Sequence, residues 1–365
     1  VDLNRNWSYQ WDSRAGGSRN PQSITYRGPE PFSEPEIRAI RDLVLSPNRR
    51  FKAFIDYHSY SQIVGWPWGY TFDPPIPLSE EKRFDPPSDS VEYARIGETM
   101  AKLIYSTHGQ SYRACQISLE CPYPAAGVSN DWFYSETGGI SFVIELRPDT
   151  GEPGFVLPAD QILPTFEENL PAALYLLEQT SAELIVRDSE SDDGSIPSAE
   201  IGFSPDIRVD GAPIGIVNGT ETPFGENDHE NAVADAVNRV FVTVHNRGLT
   251  EVPNAVVELY WKDNAQLDLS AWPEGWQPVD DDADPLTAPV FRHFVSIPAN
   301  SSATVTFSWV PPVATPDATL LVRVRHLQDS IRILRDPALR FELDRYDNNI
   351  ASRRVQIVIS EGDAF

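Results

Sequence analysis

Four short stretches hold residue types that can do chemistry. "FIDYHSYSQ" ends an apolar run on His58, whose imidazole can bind a metal or carry a proton. "SFVIELR" interrupts a second apolar run with Glu145. A carboxylate buried there must be paired, ligating or catalytic, because an isolated buried charge is costly. The plainer alternatives are a structural histidine and an ion pair between Glu145 and Arg147. "VDLNRNW" sets Asn4 beside Arg5, a polar pair of the kind found inside sites. "PYPAAGVSNDW" is a glycine-bearing loop with Tyr123 among small residues.

The elements that must position these groups are legible as patterns. Residues 51–60 and 139–147 read as strands. Between them, Ile96, Met100, Leu103 and Ile104 share one helical face, and Gly109 is a stop. Ser33 with Glu36, and Thr165 with Glu168, stand at capping-box spacing before two further helices, the second kinked near Pro171. Alternating strands and helices predict an α/β layered domain over 1–183. Residues 184–204 are acidic and serine-rich and read as a linker. From 205 to 365 the period changes to two: 238–248, 254–263, 302–310, 320–327 and 352–360 alternate, predicting a second, all-β sandwich domain.

Composition narrows the partners. The 365 residues carry a net charge of -25. Both halves are acidic, which argues against nucleic acid and against an anionic membrane surface as partners. No apolar run approaches the roughly 20 residues of a transmembrane helix, and no signal peptide is visible. Cys115 and Cys121 fit either a small disulfide or two free thiols. The acidic run "VDDDADP" is either a solvated loop or a calcium site. The oligomeric state is not readable.

Taken in order, "DLNRNW … YRGPEPFSEPE … FIDYHSYSQ … YPAAGVSNDW … FVIELRPDTGEPGFVLP" resembles the zinc carboxypeptidases of the carboxypeptidase A/B/T family, over about residues 1–180. The resemblance implies a mixed central sheet flanked by helices, one zinc ion, and peptide or protein C-termini as substrates. It makes His58 the third zinc ligand and Glu145 the general base. Asn4 and Arg5 match the pair that grips the substrate's terminal carboxylate, a task suited to a planar guanidinium. Tyr123 matches a mobile tyrosine closing over substrate, and Tyr60 and Phe155 match residues lining subsites. Pro148 looks like a one-residue insertion between Glu145 and Phe155. Asn130, with Val143 and Ala125, matches the base of the pocket for the departing side chain; a neutral residue there implies neutral, mainly apolar C-terminal residues.

The family's HxxE motif supplies its first two zinc ligands upstream of "NRN". None of the six histidines here is followed by Glu at the third position. The expectation is therefore the C-terminal portion of a catalytic domain, a weak binder of zinc by itself, whose sheet lacks its first strands and exposes an edge and apolar faces. The second half resembles immunoglobulin-like modules appended to secreted bacterial enzymes, which implies an extracellular or periplasmic protein. The competing expectation is a pseudoenzyme or binding module for peptide C-termini or cell-surface ligands.

Overall fold

A computed structural model describes residues 1–359 apart from 14, 16, 47–49, 71–85, 119, 122–123, 212–215, 218–219, 222–228, 265–274, 280–290, 313–314 and 332–342. The chain divides into two units: Val1–Ser181 with Leu327–Ile333, and Ala182–His326 with Leu334–Phe365. The expected second domain thus gives up a short segment to the first unit.

The first unit is built on two apolar runs that pair in parallel, β1 (Ala53–Ser59) and β4 (Ile140–Leu146). β4 buries Ile140, Phe142 and Ile144, whereas every residue of β1 stays half-buried or exposed. β2 (Ile63–Trp66) lies antiparallel to β4, and β3 (Arg113–Gln116) parallel to β2, giving a mixed sheet in the order β1-β4-β2-β3. The helix expected around Ile96 runs as α2 (Pro86–His108), burying Ile96, Met100 and Ile104 and leaving Leu103 half-buried. Gly97 lets α2 lie against the sheet, since a Cβ there would stand 2.9 Å from the Trp66 ring. Gly109 follows at a positive φ of 71° and donates to the Tyr105 carbonyl, the left-handed ending that glycine favours. Cys115 and Cys121 form a disulfide.

Neither expected capping box forms. α1 (Pro35–Val44) is preceded by Glu34 and starts on Pro35, a residue suited to the first helical position. Ser33 instead donates to Glu34. α4 (Ile162–Gln179) begins earlier than expected and includes Pro171. Thr165 sits inside it and bonds back to the Gln161 carbonyl, while Glu168 is buried against Arg147. α3 (Ser129–Thr137) carries the "SNDW" residues.

The second unit is almost wholly strand. Ile207–Asp210, Asn238–Asn246 and Ser301–Trp309 form one sheet with Leu184–Ile185. Val252–Asp263, Arg292–Ile297, Asp317–Arg325 and Ile350–Val358 form another with two shorter strands. Alternation is visible along Asn238–Asn246, where Val240, Val242 and Val244 are buried and their neighbours are not. The acidic stretch 184–204 is not a free linker. Leu184 and Ile185 pair with Asn246 and His245, Arg187 is bonded to Asp206, and Phe203 bridges to Arg353. The "VDDDADP" run lies outside the described residues after Val279.

Candidate active site

Register decides the first contact. In the parallel pair β1–β4, His58 stands opposite Glu145, so both side chains leave the sheet on one face at the C-terminal ends of these strands. Crevices at such strand ends are where open α/β sheets take ligands. Both residues are half-buried. Arg147 is committed elsewhere: its guanidinium donates to both Glu168 oxygens and to Gln161, with Tyr112 donating to the same carboxylate. The alternative in which Arg147 exists to neutralise Glu145 is therefore disfavoured.

The opening stretch supplies the next layer. Leu3–Arg5 is a single 3-10 turn, capped by Asp2, whose side chain accepts from the Asn4 N–H. It is held from below. Asn6 is fully buried and donates to the carbonyls of Arg27 and Glu30, while its own side-chain oxygen accepts from the Glu34 N–H at 3.1 Å. Trp7 packs on Trp132 with ring centroids 4.6 Å apart. Gly127, at a φ of 67°, is required by close approach: a Cβ would sit 2.6 Å from the Arg5 carbonyl oxygen. So fixed, the turn brings Asn4 Nδ2 to 3.1 Å from His58 Nε2. Arg5 bonds the Asn4 carbonyl at 2.7 Å and lies 4.0 Å from Asp2.

Two residues that the motifs did not single out complete the cluster. Asp56 Oδ2 lies 3.0 Å from His58 Nε2, and Ser129 Oγ donates to that same oxygen. The Ser129 backbone N–H donates to Asn4 Oδ1 at 2.8 Å. Asp56 was reachable from the sequence, because residues two apart on a strand share a face. The hydrogen bond that Asp56 accepts from the ring is the largest cause of a raised His58 pKa. The Asp56 and Glu145 charges act in the same direction, against burial and the Arg5 guanidinium.

The other expected residues are less gathered. Tyr60 and Phe155 touch edge to face, centroids 5.0 Å apart, although Phe155 is 79% exposed. The Ser59–Tyr60 and Arg147–Pro148 peptide bonds are cis. Asn130, in the first turn of α3, is buried, and its Nδ2 has no hydrogen-bond partner among the described residues. Next to it, Asp131 is fully buried and accepts from the Gly69 N–H. Tyr123 lies outside the described residues.

Residues 1–172 match the zinc carboxypeptidase family model. Over 180 residues the chain is 41% identical to carboxypeptidase A1 of Rattus norvegicus, an alignment spanning 49% of this chain and 39% of that protein. Over 170 residues it is 41% identical to carboxypeptidase B of Astacus astacus, spanning 46% and 51%. A solved structure of bovine thrombin-activatable fibrinolysis inhibitor, in complex with tick carboxypeptidase inhibitor, is 32% identical over 48% of this chain and 55% of its own, with a TM-score of 0.42. The chain spans about two fifths to half the length of these curated relatives. The family model and the curated relatives support the zinc carboxypeptidase family for the first half of the chain.

The donor set can be tested against zinc. A catalytic zinc takes three protein ligands and keeps one position open. Among the described residues no group of three His, Cys, Asp or Glu is placed to hold a metal ion. His58 is one suitable donor, so the described residues do not make a catalytic zinc site by themselves.

Proposed function

We propose that the first unit forms the carboxylate-gripping and proton-transferring side of a metallocarboxypeptidase site acting on peptide C-termini. The observation that carries this reading is the in-register pairing of His58 with Glu145, with Asn4 hydrogen-bonded to the same histidine. Arg5 and Asn4 bind the terminal carboxylate of the substrate by charge-assisted hydrogen bonds. Glu145 takes a proton from the attacking water and returns it to the leaving amine. The pocket formed with Asn130 admits a neutral side chain, and the unpartnered Asn130 Nδ2 gives it one polar handle. Tyr60 and Phe155 line the approach, and Tyr123 closes over the bound residue.

The second unit reads as an immunoglobulin-like module. In support, residues of both of its main sheets, such as Val242 and Phe307 in one and Leu259 and Val322 in the other, join a single core cluster. An exported location fits the Cys115–Cys121 disulfide, since such bonds persist in oxidising compartments. No helix among the described residues is long and apolar enough to cross a membrane.

Two measurements test the reading. The chain of 365 residues, dialysed against buffer and assayed for metal, should not retain stoichiometric zinc; tight retention would mean that the donor set has been misjudged. In a polypeptide that supplies the remaining ligands, Glu145→Gln should lower kcat for release of a C-terminal residue by about 10²–10⁴-fold, the usual contribution of a general base, with zinc content unchanged. Near-normal kcat with reduced thermal stability would make Glu145 a structural residue instead. Binding of free-acid peptides without turnover in the parent polypeptide would favour the binding-module alternative.

A further inference from the structure

His58 Nε2 faces two partners that ask opposite things of it. Asp56 Oδ2, 3.0 Å away, can only accept, and needs a proton on Nε2. Asn4 Nδ2, 3.1 Å away, can only donate, and needs Nε2 bare. The Asn4 amide cannot escape by turning over, because its Oδ1 takes the Ser129 backbone N–H at 2.8 Å and that group can only donate. Nor is Asp56 loose, because the Ser129 hydroxyl is bonded to the same Oδ2. Ser129 therefore pins both competitors, and a neutral imidazole has one N–H and one lone pair to share between them. With the ring proton on Nδ1, Asn4 is satisfied and Asp56 is not. With the proton on Nε2, Asp56 is satisfied and Asn4's N–H is released.

We propose that Asn4 and Asp56 compete for this one nitrogen, so that a carboxylate ligand which takes the Asn4 N–H hands His58 to Asp56. The proposal rests on the clamp reading of Asn4 and Arg5. The balance is simple: the Asn4 N–H moves from Nε2 to a ligand oxygen, and the ring proton moves from Nδ1 to Nε2 through water. No net proton is gained or lost. The side chains of His58 and Asp56 retain 30% and 28% of their exposure, enough for water to carry that proton. The result is an Nδ1 lone pair that is bared when the clamp is filled. Asp56 is then a positioning residue that links occupancy of the carboxylate clamp to the donor state of His58.

The experiment is long-range proton–nitrogen NMR of the full chain, labelled with ¹⁵N at histidine; because the His58 pKa is raised, the pH is increased until the His58 signals no longer move, so that the ring is neutral. His58 signals are identified by their loss in His58→Gln. Asn4→Ala should show only the Nε2-protonated tautomer, and Asp56→Ala only the Nδ1-protonated one. Titrating N-acetyl-L-phenylalanine into the unmodified chain should move His58 toward the Asn4→Ala spectrum, while the corresponding amide should not. If both variants share one tautomer, or if the acid binds through Arg5 (binding lost in Arg5→Ala) and the His58 signals stay in place, the competition is overturned. If the variants diverge but the acid does not bind through Arg5, the clamp reading fails and the competition stands.

Discussion

Helix α4 of the first unit and the strand Asn238–Asn246 of the second are both amphipathic, and they are turned opposite ways. The strand puts Val240, Val242 and Val244 inside. The helix buries Thr165, Glu168, Asn169 and Gln179 along with Ala172 and Leu176, and leaves Ile162, Leu163, Phe166, Leu170, Leu174 and Leu177 40–63% exposed. β1 stands at an end of its sheet, with β4 as its neighbour among the described strands. The second unit thus satisfies its hydrophobic pattern internally, whereas the first leaves in water a stripe that most monomeric folds would cover. The unit with the incomplete apolar surface is also the one that holds the proposed chemistry.

The sharpest way to break this comparison is to delete one phenylalanine from each surface. Phe307 is fully buried in the second unit's core, so Phe307→Ala should cost about 3–5 kcal/mol. Phe166, 59% exposed on α4, should cost less than about 0.5 kcal/mol when changed to Ala, as surface substitutions usually do. Chemical denaturation of the two variants beside the parent measures both. A loss of several kcal/mol at Phe166 would mean that the stripe is covered in solution, and the contrast between the units would fall.

Much of this contrast was legible in the sequence, and the failures have physical causes. Period-two alternation located the five long strands of the second unit, although Ala255–Leu259 in one of them is buried on both faces. The strand Arg292–Ile297 was missed, since Arg292 and His293 interrupt its apolar signal. Acidic composition made 184–204 read as a linker, yet composition says nothing of Arg187 reaching Asp206. Capping-box spacing at Thr165 and Glu168 was overridden by a tertiary contact, the buried Arg147 pair, that no local rule contains. The site shows the same split. His58 and Glu145 were found as polar residues ending or breaking apolar strands; Asp56 could have been placed on the His58 face by the same period, but its bond to Ser129, 73 positions away, is in no local pattern.

A finer comparison sets one buried carboxylate of each unit against the other. Burial pushes Asp131 up to about 7, held back by the backbone N–H groups of Gly69 and Tyr70. Burial pushes Asp188 up to about 8, held back by the Ser198 hydrogen bond and Arg345 and raised further by the charges of Asp344 and Asp192. Both folded values lie above the ordinary aspartate value, so in each window the native state keeps a proton that the unfolded chain has lost. The unfolded state binds fewer protons there, and stability falls as pH rises. Each contribution is fully present below the ordinary aspartate value and is lost as pH climbs through the folded one. The first unit should therefore stop losing stability from Asp131 near pH 7, while the second continues to lose it from Asp188 to about pH 8. That last interval is worth up to about 1.4 kcal/mol, the value of one pKa unit. Thermal unfolding followed across this range should show the decline flattened below about pH 7 in Asp131→Asn, and flattened in the final interval only in Asp188→Asn. If Asp188→Asn leaves the final decline unchanged, its carboxyl is already ionised in the native state and the second unit bears no such burden.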